Sequence, residues 1–143
     1  MDNPVSQYLP HGDSAVLLAH IVEASDTTAT CSIRQDREMP FAQPDGIPAC
    51  VGIEIMAQAA ALLINRTDRM GTATGGRLTH ARAITWTADC LPLDRPLFVA
   101  VELGDYSQGT GLFRFSGKIY TEPDLPPLSE ALFSILIIMD TGF

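Results

Sequence analysis

The sequence predicts an α+β domain in which a curved antiparallel sheet wraps one long central helix. Three observations carry that expectation. One stretch, Ile47 to Ile64 (IPACVGIEIMAQAAALLI), is apolar on nearly every helical face, two strand-like segments precede it, and four follow it. A helix without a polar side must be covered all round, and a strongly curved sheet does so with few elements. At 143 residues with 46% apolar content, the chain is expected to form one domain, 1–143, with a substantial core.

The elements follow in order. Ala15 to Glu23 (AVLLAHIVE) and Thr27 to Arg34 (TTATCSIR) read as strands, and the short polar link Ala24, Ser25, Asp26 makes them a hairpin. Pro40, Pro44 and Gly46 break the chain between Asp36 and Gly46, and Asp45 with Pro48 is a helix-start signal. The helix should run to about Asn65. Thr67 to Gly76 (TDRMGTATGG) reads as a flexible connection. Four strands should follow, at Leu78 to Asp89, Leu97 to Tyr106, Gly111 to Thr121 and Leu128 to Met139, separated by Pro- and Gly-containing turns. Two strands, a helix and four antiparallel strands make the hotdog arrangement. Phe133 to Met139 (FSILIIM) is apolar on both faces, so it should lie centrally in the sheet or beneath a second subunit.

Composition excludes several classes. A formal charge of -8 with a single lysine, Lys118, argues against nucleic acid as a partner, because phosphate binding rests on clustered Lys and Arg. Arg66, Arg69, Arg77 and Arg82 nevertheless gather after the helix, either as a solvated surface or as a patch for an anionic partner. Cys31, Cys50 and Cys90 show neither CxxC spacing nor accompanying histidines, so no disulfide framework and no metal site is expected; they read as buried thiols in a reducing cytoplasm. The polar, acidic N-terminus is unlike a secretory signal, and Pro48, Glu54 and Gln58 argue against a membrane span. No Gly-x-Ser-x-Gly elbow or phosphate-binding glycine loop is present.

Glu54 is the most informative residue. A carboxylate within an apolar helix must find hydrogen bonds, change protonation or line a wet cavity. Gln58, one turn on, projects from the same face. Cys50 lies near the helix start, where a thiol becomes either a nucleophile or a small core residue.

The run Gly52, Ile53, Glu54, Ile55, Met56, Ala57, Gln58, Ala59, with Leu9, Pro10, His11 before an apolar strand and Pro40, Phe41 before the loop, resembles the β-hydroxyacyl-acyl-carrier-protein dehydratases of the hotdog fold. Asp45, Gly46, Ile47, Pro48, Ala49, then Gly52 and Glu54, are most similar to the divergent dehydratase-like branch associated with aryl-polyene pigment clusters. The resemblance implies elimination of water from a 3-hydroxyacyl thioester carried on the phosphopantetheine of an acyl carrier protein or on CoA. It implies no further cofactor, no metal, and a homodimer or higher homo-oligomer. In that family a loop histidine removes the α-proton, and the helix carboxylate of the other subunit protonates the departing hydroxyl.

Here residues 42–48 (AQPDGIP) contain no histidine. The resemblance then assigns Glu54 as the acid/base carboxylate, with His11 or His80 as candidate partner, while Asp45 could serve as base or cap. Gln58 would orient Glu54, the amides near Val51 and Gly52 would hold the thioester oxygen, and Ile55 and Met56 would line an acyl tunnel. Arginines after the helix would meet the phosphate of the carrier arm or an acidic carrier protein. Thioester hydrolysis with Glu54 activating water, and a non-catalytic acyl-binding or partner subunit, are the alternatives on the same fold.

Overall fold

The computed structural model describes residues 15–36, 38–67, 73–107 and 109–139, with the side chains of 73–75 and 138–139 left aside. Strands β1 (Leu18–Ala24) and β2 (Thr28–Ile33) form the expected hairpin, closed by Ser25, whose Oγ accepts the Thr28 N–H at 3.0 Å. Helix α1 (Gly52–Thr67) follows, then β4 (Ala73–Trp86), β6 (Phe98–Ser107), β7 (Leu112–Tyr120) and β8 (Ser129–Met139). These strands make one antiparallel sheet of order β1-β2-β6-β7-β8-β4, and its inner face curls around α1.

Alternation sets which side chains face the helix. Phe113, Phe115, Gly117 and Ile119 of β7 point inward and are buried, whereas Arg114, Ser116 and Lys118 point out. Val99, Val101 and Leu103 of β6, and Phe133, Ile135 and Ile137 of β8, complete the inner face. From α1 they receive Ile55, Met56, Leu62, Leu63 and Ile64, with Ala59 and Ala60 keeping the helix slim where the sheet closes on it. Gly117 lies under Met56, so helix and β7 approach more closely there than a larger residue would allow.

Two short elements shape the entrance to α1. Strand β3 (Ile47–Pro48) pairs with β5 (Cys90–Leu91), and a 3-10 turn, Ala49–Val51, leads into the helix. The helix therefore begins later than the sequence indicates. Asp45 does not cap it: Pro48 stands at the cap position with no side-chain hydrogen bond, while Asp45 sits exposed in a tight turn closed by reciprocal Gln43 and Gly46 backbone bonds at 3.0 Å. The link after the helix is also shorter than expected, since Ala73–Gly76 already pair with β8. Bulges in β4, one next to Ala83 at φ 52°, bend this strand around the helix.

Strand β4 ends the sheet, and Leu78, Ile84 and Trp86 on it are exposed. A long edge strand with exposed apolar side chains is a template for pairing with another chain. Ala49–Thr67 has the length and composition to cross a membrane, but more than half of it is buried within the molecule, as a core helix is. The three cysteines are free. Burial pushes the Cys31 thiol up to about 12, whereas Cys50 is exposed on the 3-10 turn, contrary to the core position that its apolar surroundings in the sequence favour. Thiol titration of the native protein should label Cys50 promptly and Cys31 only on unfolding. Because the folded state holds the Cys31 proton that the unfolded chain releases, this thiol should lower stability as pH rises from about 9 towards about 12.

Candidate active site

Glu54 lies in the first turn of α1, half-buried, at a cavity of about 400 Å³. Ala15, Leu17, Pro40, Phe41 and Val51 line that cavity together with Glu54 and Gln58. Its wall is almost wholly apolar, so the carboxyl group stands out as its chemically active feature.

Gln58 is only 2% exposed and makes three hydrogen bonds. Its Oε1 accepts the Leu17 N–H at 2.8 Å, and its Nε2 donates to the Ala15 carbonyl at 3.0 Å and to Glu54 Oε1 at 3.2 Å. The amide thus ties the helix to the segment entering β1 and touches the carboxylate as well. The polar pair at i and i+4 is visible in the sequence; the backbone it grips, 41 to 43 residues away, is not.

The other expected site residues take diverse positions. Val51 lines the cavity. The Gly52 N–H is engaged by the Ala49 carbonyl because the helix opens through a 3-10 turn, and Gly52 packs on Ile119 and Ser129; this amide is already used within the fold. Ile55 and Met56 are fully buried in the core beneath the sheet, apart from the lining of this cavity. His80 is exposed on β4 opposite Ser134 and lines a separate cavity of about 650 Å³ with Arg82, Glu102 and Arg114, whose neighbours place it on the outer face of the sheet. Within one chain the fold brings Glu54 and Gln58 together and leaves His80 elsewhere. His11 and Arg69 lie outside the described residues. His20 is exposed on β1, its N–H donating to Ser32 Oγ at 3.0 Å.

Phe41 is a cavity residue that enters the sequence reading only through the family resemblance. It is 59% exposed and holds a φ of 72°, a left-handed conformation uncommon for a bulky residue. Pro40 before it restricts the chain, yet nothing in the sequence marks the positive φ. Among the described residues no group of three or more His, Cys, Asp and Glu gathers as metal ligands would.

Solved structures share this fold. A chain of the dehydratase heterocomplex ApeI:P from Xenorhabdus doucetiae superposes with a TM-score of 0.87 at 23% identity, covering 99% of this chain and 95% of that one. A virulence protein from Campylobacter jejuni matches with a TM-score of 0.69 at 14% identity over 95% and 89% of the two chains. A thioesterase from Pseudomonas aeruginosa matches with a TM-score of 0.63 at 8% identity over 83% and 80%. At these identities the superpositions establish the shared hotdog fold. A search of curated proteins finds no match. The ApeP-like family model, described as ApeP dehydratase, matches residues 3–134, and the chain belongs to the ApeP-like dehydratase family.

Proposed function

We propose that this chain removes water from a 3-hydroxyacyl thioester, with Glu54 delivering a proton to the departing hydroxyl. The observation that carries the reading is a half-buried carboxyl group, held by a buried amide, at the polar point of an apolar cavity. Such a cavity suits an acyl chain, and an acid positioned beside a poor leaving group is what the elimination needs. Family membership supports the same chemistry.

The base that takes the α-proton is assigned to His11. It lies four residues before Ala15, which is part of the cavity wall, a span that extended chain covers in at most about 14 Å. His80 is less suited. Pairing of two sheets edge to edge keeps their outer faces on the same side, away from both helices.

The substrate is carried on phosphopantetheine, attached to an acyl carrier protein or within CoA, and the active unit contains a second hotdog chain joined through β4. The exposed Leu78, Ile84 and Trp86 on that edge support such pairing. The partner is a second copy or a dissimilar chain; the Xenorhabdus structure is a heterocomplex, which supports the latter. Free thiols, one of them exposed, fit a reducing cytoplasm.

Protein purified alone, and protein co-expressed with a companion hotdog chain, should convert a 3-hydroxyacyl thioester to its 2-enoyl product, followed by mass spectrometry. His11→Ala should slow that conversion by about 10²-fold or more. Release of free thiol without enoyl product would establish hydrolysis instead, a reading favoured by the lack of a histidine in the loop sequence 42–48. Absence of both products from both preparations would assign the chain a non-catalytic role.

A further inference from the structure

We propose that the cavity on the outer face of the sheet binds a phosphate group, held by Arg82, His80 and Arg114 above the hydroxyl of Ser134. This cavity, of about 650 Å³, shares no lining residue with the one at Glu54.

Strand register sets these side chains next to one another. His80 of β4 stands opposite Ser134 of β8, Ser134 stands opposite Arg114 of β7, and two residues along β4 Arg82 stands opposite Leu132. All of them line the cavity. Neighbouring strands lie about 4.8 Å apart, so Ser134 forms the floor of a gap of about 10 Å between His80 and Arg114, with Arg82 to one side.

The hydroxyl on that floor points to a ligand. Three polar side chains are buried among the described residues, those of Gln58, Ser129 and Ser134. Gln58 makes three hydrogen bonds, and Ser129 Oγ donates to the Thr85 carbonyl at 2.9 Å. Ser134 Oγ, on a residue only 8% exposed, makes none with any described residue. A buried hydroxyl without a partner costs its desolvation, which an alanine at this position would avoid. An acceptor seated in the cavity recovers the missing bond.

The charges around the hydroxyl define that acceptor. Arg82 and His80 form no ion pair with any described residue. Arg114 Nη1 donates to Asp105 Oδ2 at 2.9 Å, an exposed pair that engages the acid and leaves the Nε and Nη2 hydrogens for a second acceptor. Glu102, the other acid of the cavity, lies on β6, two strands from Ser134. That is about 10 Å, more than the Debye length of about 8 Å at physiological salt. The residues that β4 and β8 contribute to the cavity include no acid. Donors thus approach from the floor and from both sides, which suits the tetrahedral oxygens of a phosphate better than a planar carboxylate satisfied by one guanidinium fork. With a net charge of -8, the chain disfavours a long polyanion, and the fitting ligand is a single phosphate, free or borne on a small molecule.

Calorimetry and melting curves with inorganic phosphate, against potassium chloride of equal ionic strength, test the site in the full-length protein. Phosphate at ten times its Kd should raise the melting temperature by about 5 °C where chloride does not. Arg82→Gln and Ser134→Ala should each weaken phosphate binding about tenfold or more. Without phosphate, Ser134→Ala should melt no lower than the native protein, because it removes an unsatisfied hydroxyl. Lys118→Gln, on the same outer face but not lining this cavity, should bind phosphate as the native protein does. Repeating the titration with CoA present separates the sources: competition identifies a phosphate-bearing thioester carrier, its absence identifies free phosphate, and the site stands in both cases. Equal effects of phosphate and chloride overturn the proposal. So does native affinity in both Arg82→Gln and Ser134→Ala, and so does an equal loss in Lys118→Gln, which would mean diffuse surface charge in place of a site.

Discussion

Glu54→Gln is expected to lower the dehydration rate by about 10²–10⁴-fold while leaving the protein folded. The two side chains have nearly the same shape, and Oε1 of the new amide still accepts from Gln58 Nε2, 3.2 Å away in the native protein. Packing around the first turn of α1 is preserved, so thermal unfolding should shift by no more than a few degrees. Only the capacity to release a proton disappears. Because that proton matters at the breaking Cβ–O bond and not in holding the acyl chain, the loss should fall on kcat, with KM within a few-fold of native. A 10³-fold loss corresponds to about 4 kcal/mol of transition-state stabilisation, a magnitude reasonable for one positioned acid. Steady-state kinetics alongside a melting curve check both halves. A variant as active as the native protein would mean that the carboxyl group serves the structure and not the reaction.

Most of the architecture could be read from residue patterning, for a physical reason visible in particular elements. Strand β7 alternates strictly, with Phe113, Phe115 and Ile119 inward and Arg114, Ser116 and Lys118 outward, and such a period leaves one choice of face. Helix α1 was legible because its apolar residues exceed what one stripe requires, which implies cover on every side. The deviations lie where tertiary pairing overrides local preference. Gly75 and Gly76 favour a loop, but β8 continues to Met139 and supplies hydrogen-bond partners, so the strand extends back across them. Ile47 and Pro48 look like the start of a helix, yet β5 offers a short ladder, and the helix begins only after a 3-10 turn.

The site divides in the same way. Glu54 and Gln58 draw attention because two polar side chains share one face of an apolar helix. The groups that complete the cavity wall do not, since the Ala15 carbonyl and Leu17 N–H are backbone atoms with no sequence signature. Phe41 is similar, for its unusual φ is a property of the folded loop. The direction of His80 depended on the register of β4 against β8, and the bulge between Leu78 and His80 decides it. A one-residue slip reverses a strand's faces, so no count along the sequence could settle which side His80 takes.

Gly46→Ala should be the most damaging single-methyl substitution in the fold, lowering stability by about 2–4 kcal/mol. At φ 129° the residue adopts a backbone conformation that L side chains rarely reach, and a Cβ built there would stand 2.2 Å from the Leu91 carbonyl oxygen. Neither partner can yield by turning a side chain, because the obstruction is backbone already paired in the β3–β5 ladder. Relief requires that ladder to open. The consequence reaches the site, as β3 leads through Pro48 and the 3-10 turn to Val51, a cavity residue, and to the first turn bearing Glu54. Gly117→Ala provides the contrast. Its Cβ would meet Met56 Sδ at 2.9 Å and Phe133 at 3.0 Å, side-chain atoms of which the thioether is flexible, so a loss of about 1–2 kcal/mol is expected. For a chain of this size each kcal/mol lowers the melting temperature by about 3–5 °C. Gly46→Ala should therefore melt well below Gly117→Ala and lose dehydration activity even at temperatures where it remains folded. Equal melting temperatures for the two would show that the β3–β5 ladder is soft and that the entrance to α1 is held from elsewhere.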